Sequence, residues 1–118
     1  MRTPWGESQS VTNIAPGIIS VSTAGHGGIK LDRTRNAMIP ADARRKGGWY
    51  EEDSDACIPL LYFADEIRET GTVSVPVEDF RKNLETYNPT ALKALDANRC
   101  KCGRKQRTRD CVVCLNNG

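Results

Sequence analysis

The chain has 118 residues, with Lys+Arg 17 against Asp+Glu 15 and a formal net charge of +2. Hydrophobic residues make up 38% and aromatic residues 6%, which fits one domain with a real but small core. The near-balance of charge excludes a histone-like polyanion binder and an acidic mimic of nucleic acid. No window approaches the roughly 18 apolar residues needed to cross a bilayer. The start, Met1 to Glu7, lacks an apolar run followed by a small-residue cleavage site, so a soluble cytoplasmic protein is expected.

Taken in order, Gly17 to Thr23 is rich in β-branched residues and places Ile19, Val21 and Thr23 on one strand face. Gly25-His26-Gly27-Gly28 reads as a turn whose glycines enter φ > 0, and Ile29-Lys30-Leu31 as the returning strand of a hairpin. Asp32 is placed to cap a short helix over 33–38, which ends before Ile39-Pro40. Residues 41–48 form a polar, basic loop. Cys57, Leu60, Leu61, Ala64 and Ile67 then mark one amphipathic helix, with Pro59 close to its start.

Pro76 opens the next helix, with Glu78 and Asp79 in its first turn and a stripe of Val77, Phe80, Leu84 and Tyr87. Asn88-Pro89 starts another, expected to bury Leu92 and Leu95 and to end near Asn98. The predicted fold is α+β: a small antiparallel sheet or hairpin packed with about three helices, followed by a cysteine-bearing tail.

Charge divides the chain near residue 98. Residues 1–98 carry a formal charge of −3 and residues 99–118 one of +5. The boundary separates an α+β domain, 1–98, from a basic tail, 99–118.

That tail holds Cys100, Cys102, Cys111 and Cys114, in the pattern C-x-C-x8-C-x2-C. Paired cysteines that a turn brings together suit tetrahedral Zn²⁺. Gly103 supplies one bend, whereas Leu115 stands where a second would help. So short a loop builds no core, and metal binding would supply its folding energy. A reducing cytosol disfavours two disulfides, and a redox C-x-x-C belongs at a helix start in a βαβ unit. One structural zinc ion is therefore expected. Arg104, Lys105, Arg107 and Arg109 would either contact phosphates or offset the thiolates' charge. No aromatic residue in the tail is available to stack on bases.

His26 is the sole histidine. Among glycines it would sit exposed, where backbone N–H groups can cradle an anion, or else it merely occupies a hairpin turn at φ > 0. Glu51, Glu52 and Asp53 follow Trp49 and Tyr50. They could bind a hard cation or act with His26 in acid–base chemistry. More plainly, they form an acidic helix start with the aromatic pair in the core. No P-loop, G-x-S-x-G, H-E-x-x-H or G-x-G-x-x-G occurs, so nothing compels an enzyme.

Pro4-Trp5-Gly6, Ala15-Pro16-Gly17-Ile18, Ser22 through Ile29, Gly48 through Asp53 with Ile58-Pro59, and Leu84-x-x-Tyr87-x-Pro89 together resemble one family. It is an uncharacterised family of small proteins from bacteriophages and proteobacterial mobile elements. The resemblance spans roughly residues 3–97 and leaves the cysteine tail outside. It departs at Gly25, where the family more often has serine or proline. It implies an origin more than an activity.

Small phage proteins without enzyme motifs often inhibit host machinery, including CRISPR effectors, which suggests by analogy a host protein or nucleoprotein as partner. Candidate contacts are an exposed Trp5, the basic run Arg44, Arg45 and Lys46, and the tail. A direct nucleic-acid binder is the alternative, and an enzyme built on His26 with Glu51, Glu52 or Asp53 a further one. No membrane partner is expected.

Overall fold

A computed structural model describes residues 1–52, 54–71 and 73–98. The protein is α+β, with two small antiparallel sheets and five helices among the described residues. A first hairpin pairs β1 (Arg2–Thr3) with β2 (Gly6–Glu7). The main sheet is a four-stranded meander in chain order: β3 (Ser10–Ala15), β4 (Ile18–Ser22), β5 (Gly27–Leu31) and β6 (Trp49–Glu51).

The β4–β5 hairpin forms as expected, but β5 takes in Gly27 and Gly28, which the sequence assigns to the turn, and both outer strands go beyond expectation. Pro16-Gly17 makes the β3–β4 turn, with Gly17 at φ +79°. Proline presets the first turn position, and only glycine takes the second without strain. This Pro-Gly pair between two β-rich runs is the local signal that identifies β3.

Asp32 caps α1 (Arg33–Met38) as expected, its carboxylate accepting from the Arg35 N–H at 2.7 Å. The chain then passes through a 3-10 turn at Lys46–Gly48 into β6. Trp49-Tyr50-Glu51 therefore closes the sheet, and the expected acidic helix start is corrected to a strand. Trp49 and Tyr50 favour a strand, but a run of three residues ending in a glutamate is too short to hold one alone. The ladder to β5 and the buried Tyr50 side chain hold it there.

The single helix expected across 57–67 is two. α2 (Cys57–Tyr62) and α3 (Ala64–Thr70) break at Phe63, whose backbone leaves the helical region at φ −102°, ψ 19°. Phe63 is fully buried, edge-on to Tyr62 and under the Arg35 guanidinium. The break lets α2 pack on α4 (Val77–Tyr87) and α5 (Pro89–Ala97), while α3 turns to β3. On α4 the stripe holds at Leu84, with Val77 and Phe80 partly buried against the core. Tyr87, expected inside, is 78% exposed, because α5 begins just beyond it and turns the chain away. The Asn88 side chain accepts from the Ala91 N–H at 3.2 Å, and α5 buries Ala91 and Leu95, with Leu92 at the margin.

The helices cover one sheet face. Ile18, Ile29, Leu31 and Tyr50 join Ile39, Ile58, Leu61, Phe63, Ile67 and Leu84 in one apolar core. No helix among the described residues is long and apolar enough to cross a membrane.

Candidate interaction surface

Strand register sets what the other sheet face carries. Asn13, Ile19, Lys30 and Trp49 lie in one row across the sheet, and Val11, Val21, Gly28 and Glu51 in the next. Because side chains alternate between faces, these two rows share the side away from the core. The Ile19, Val21 and Thr23 face expected from sequence is this one.

The first hairpin lays Trp5 on it. Buried Thr3 shapes the turn, its hydroxyl donating to the Gly6 carbonyl at 2.6 Å and accepting from the Trp5 N–H at 3.0 Å. The Trp5 ring reaches Gly28, where a Cβ would stand 2.7 Å from its Cη2. Trp5 and Trp49 meet edge to face with centroids 5.6 Å apart. Trp5, expected as an exposed contact, is thus half-buried, because Gly28 and Trp49 give the indole an apolar seat. Lys30 Nζ also lies over the Trp49 ring, 5.1 Å from its centroid, and donates to the Gly47 carbonyl at 2.5 Å.

His26 borders the same face. Its Nδ1 is 3.6 Å from Glu51 Oε1, with the two side chains 56% and 39% exposed. At that exposure water screens the pair, so it orients the ring loosely and adds little stability. The Glu52 N–H donates to the Gly27 carbonyl at 2.9 Å, which ties the acidic stretch to the glycine turn. The glycine-rich turn chemistry predicts φ > 0 among Gly25, His26, Gly27 and Gly28, and none of them is there. Thr23 closes the turn instead: its N–H and hydroxyl both donate to the His26 carbonyl, at 2.7 and 2.8 Å. The His26 N–H donates to the Thr23 hydroxyl, so it is already engaged and does not face an anion. Glycine is needed at 28 for close approach, since a Cβ there would also strike the Tyr50 carbonyl.

Tyr50 points the other way, fully buried, its hydroxyl donating to Asn36 Oδ1 at 2.6 Å and accepting from the Arg45 N–H at 3.1 Å. Burial pushes its phenol above the usual range. Two of the three basic-run residues have partners within the chain. Arg44 donates to the Ile39 and Ala37 carbonyls at the end of α1, and Arg45 pairs with Asp55 at 2.9 Å. Lys46 is exposed. Asp53, the basic residues Arg104, Lys105, Arg107 and Arg109, and the expected zinc ligands Cys100, Cys102, Cys111 and Cys114 lie outside the described residues. Among the described residues no group of three or more His, Cys, Asp or Glu side chains is placed to hold a metal ion.

The structure therefore gathers Trp5, His26, Lys30, Trp49 and Glu51 on one sheet face. Two large aromatics at the centre with charges at the edge supply contact area and orientation.

No curated protein and no solved structure matches this chain. The family profile described as "Domain of unknown function (DUF7007)" matches residues 1–113. The match runs past the 3–97 span of the sequence resemblance and takes in Cys100, Cys102 and Cys111. The chain belongs to this family, DUF7007.

Proposed function

We propose that this is a non-enzymatic interaction protein of a phage or mobile element, which binds and inhibits a host protein or nucleoprotein complex in the cytoplasm. The observation that carries this reading is the meeting of Trp5, Trp49 and Lys30 beside His26 and Glu51 on the sheet face that the helices leave free. Partly buried tryptophans with a charged rim have the composition of binding hot spots. Glu51 and Glu52 stand at the rim, and residues 1–98 carry a formal −3, which favours a protein surface over phosphate. The basic tail, tied by one structural Zn²⁺ on Cys100, Cys102, Cys111 and Cys114, is the second contact.

The test is affinity capture from a lysate of the natural host. Wild type, the double variant His26→Ala/Glu51→Lys and a chain ending at Asn98 are compared after circular dichroism confirms that each is folded. A partner held in stoichiometric amount by wild type and lost by the double variant supports the reading. The same captured proteins from all three overturn it. The 3.6 Å approach of His26 to Glu51 favours a second reading, acid–base catalysis. In that case His26→Ala abolishes biological activity while partner capture is unchanged.

A further inference from the structure

β3 is an edge strand of the main sheet, exposed over residues 10–13. Hydrogen bonds on both sides of β4 show which backbone groups face outward. The Gln9 N–H donates to the Ser22 carbonyl at 2.7 Å, so even-numbered residues of β4 serve β3. Odd-numbered positions serve β5: the Thr23 N–H donates to the His26 carbonyl, and the Gly17 carbonyl accepts from the Asp32 N–H at 2.9 Å. With Ser10 opposite Ser22 and Thr12 opposite Ser20, those two β3 residues turn their backbone inward. Val11 and Asn13 turn theirs outward. Further along, α3 closes the edge, where the Thr70 hydroxyl donates to the Ile14 carbonyl at 2.9 Å. From Ser10 to Asn13 all four residues are exposed, Val11 at 47%.

Edge strands are ordinarily protected by lysine, proline or an inward charge. This one has none. No Asp, Glu, Lys or Arg occurs between Glu7 and Lys30, so the edge is electrostatically neutral and self-compatible. We infer that two copies of this chain join antiparallel through β3, with Thr12 facing Thr12 across a two-fold axis. Val11 of each copy and Asn13 of the other then exchange their N–H···O bonds. Thr12, between them, falls at the non-bonded position where side chains approach most closely, and Thr–Thr is a favourable cross-strand pair. A second copy fits this edge because it brings the same neutral, β-branched strand in self-complementary register. The two meanders become one continuous eight-stranded sheet. Its axis is perpendicular to the sheet, so both Trp5–Trp49 faces lie on the same side.

The experiment is light scattering and native mass spectrometry on the full chain, with chelator present, across a hundredfold concentration series. The expected species is twice 13.0 kDa. Thr12→Lys, which sets like charges on the axis, moves the monomer–dimer midpoint at least about tenfold upward. Val11→Pro removes an outward N–H from the edge, and has the same effect. Hydrogen exchange on wild type provides a readout independent of any variant: the Val11 and Asn13 amides slow as the dimer forms. A monomer throughout the series, a dimer indifferent to both variants, or freely exchanging Val11 and Asn13 amides overturns the inference. A monomer would leave the proposed function standing, because that rests on the Trp face.

Discussion

A methyl group added at Gly28 has nowhere to go. One neighbour is the Trp5 ring, which can tilt; the other is the Tyr50 carbonyl, fixed by the β5–β6 ladder. Overpacking against backbone costs about 2 kcal/mol or more. Gly28→Ala is therefore expected to lower the unfolding free energy by that amount, read from urea unfolding, and to release Trp5 from its seat. Gly25 sits in open space. Gly25→Ala is the matched control and should leave the unfolding free energy within about 0.5 kcal/mol of wild type. Equal losses from both would mean that the turn as a whole, and not the Gly28 contact, sets the cost. Composition marks both glycines alike as turn formers. Only the strand order separates them, by threading the first hairpin over β5.

Between elements, the junction of α2 and α4 carries a pH dependence. Cys57 is buried on α2, and its thiol donates to Asn83 Oδ1 on α4 at 3.6 Å. Burial pushes the thiol above its usual 9.0, because the thiolate would lose its water. The unfolded chain therefore ionises first as pH rises. Stability is whole below about pH 9 and is lost above it, by up to about 1.4 kcal/mol per pH unit for this group. Tyr50 and Tyr62, raised by burial from 10.0, add their loss at higher pH. Urea unfolding should give a flat profile to about pH 8.5 and a falling one beyond. Cys57→Ala should hold flat until the tyrosines titrate, near pH 10. The same slope in both proteins between pH 9 and 10 would place the loss elsewhere.

Elements whose cause is local were legible from residues alone. Asp32 before α1, Asn88-Pro89 before α5 and the β-branched run of β4 each state their conformation within a few positions. β6 was not legible, since two strand-favouring aromatics before an acidic run are too short a signal, and pairing with β5 decides it. The break at Phe63 was hidden for a similar reason. The apolar stripe runs on through it, and the bend answers to Tyr62 and Arg35 packing on the Phe63 ring.

For the whole molecule, the sequence makes an acidic body and a basic, cysteine-bearing end. If one Zn²⁺ ties Cys100, Cys102, Cys111 and Cys114, native mass spectrometry of the full chain shows one zinc mass that a chelator removes. The chain ending at Asn98 binds none and keeps the unfolding midpoint of the body. A metal-free mass two disulfides lighter than the reduced chain would overturn the zinc assignment. The separate motifs of this site were visible from the start: Trp5, the glycine–histidine turn and the Trp49–Glu52 run. Their meeting was not, because residues more than forty positions apart are brought together by register and by one indole resting on a bare backbone.

That resting indole has a practical consequence. The chain contains two tryptophans, Trp5 and Trp49, and they touch each other. Indole emission responds to the polarity and quenching groups around the ring, and both emitters stand on the one sheet face. Fluorescence excited at the red edge, where tyrosine does not absorb, is consequently a label for that face, already in place. A partner that covers it changes the spectrum, while one that docks only on the tail leaves the emission as it was.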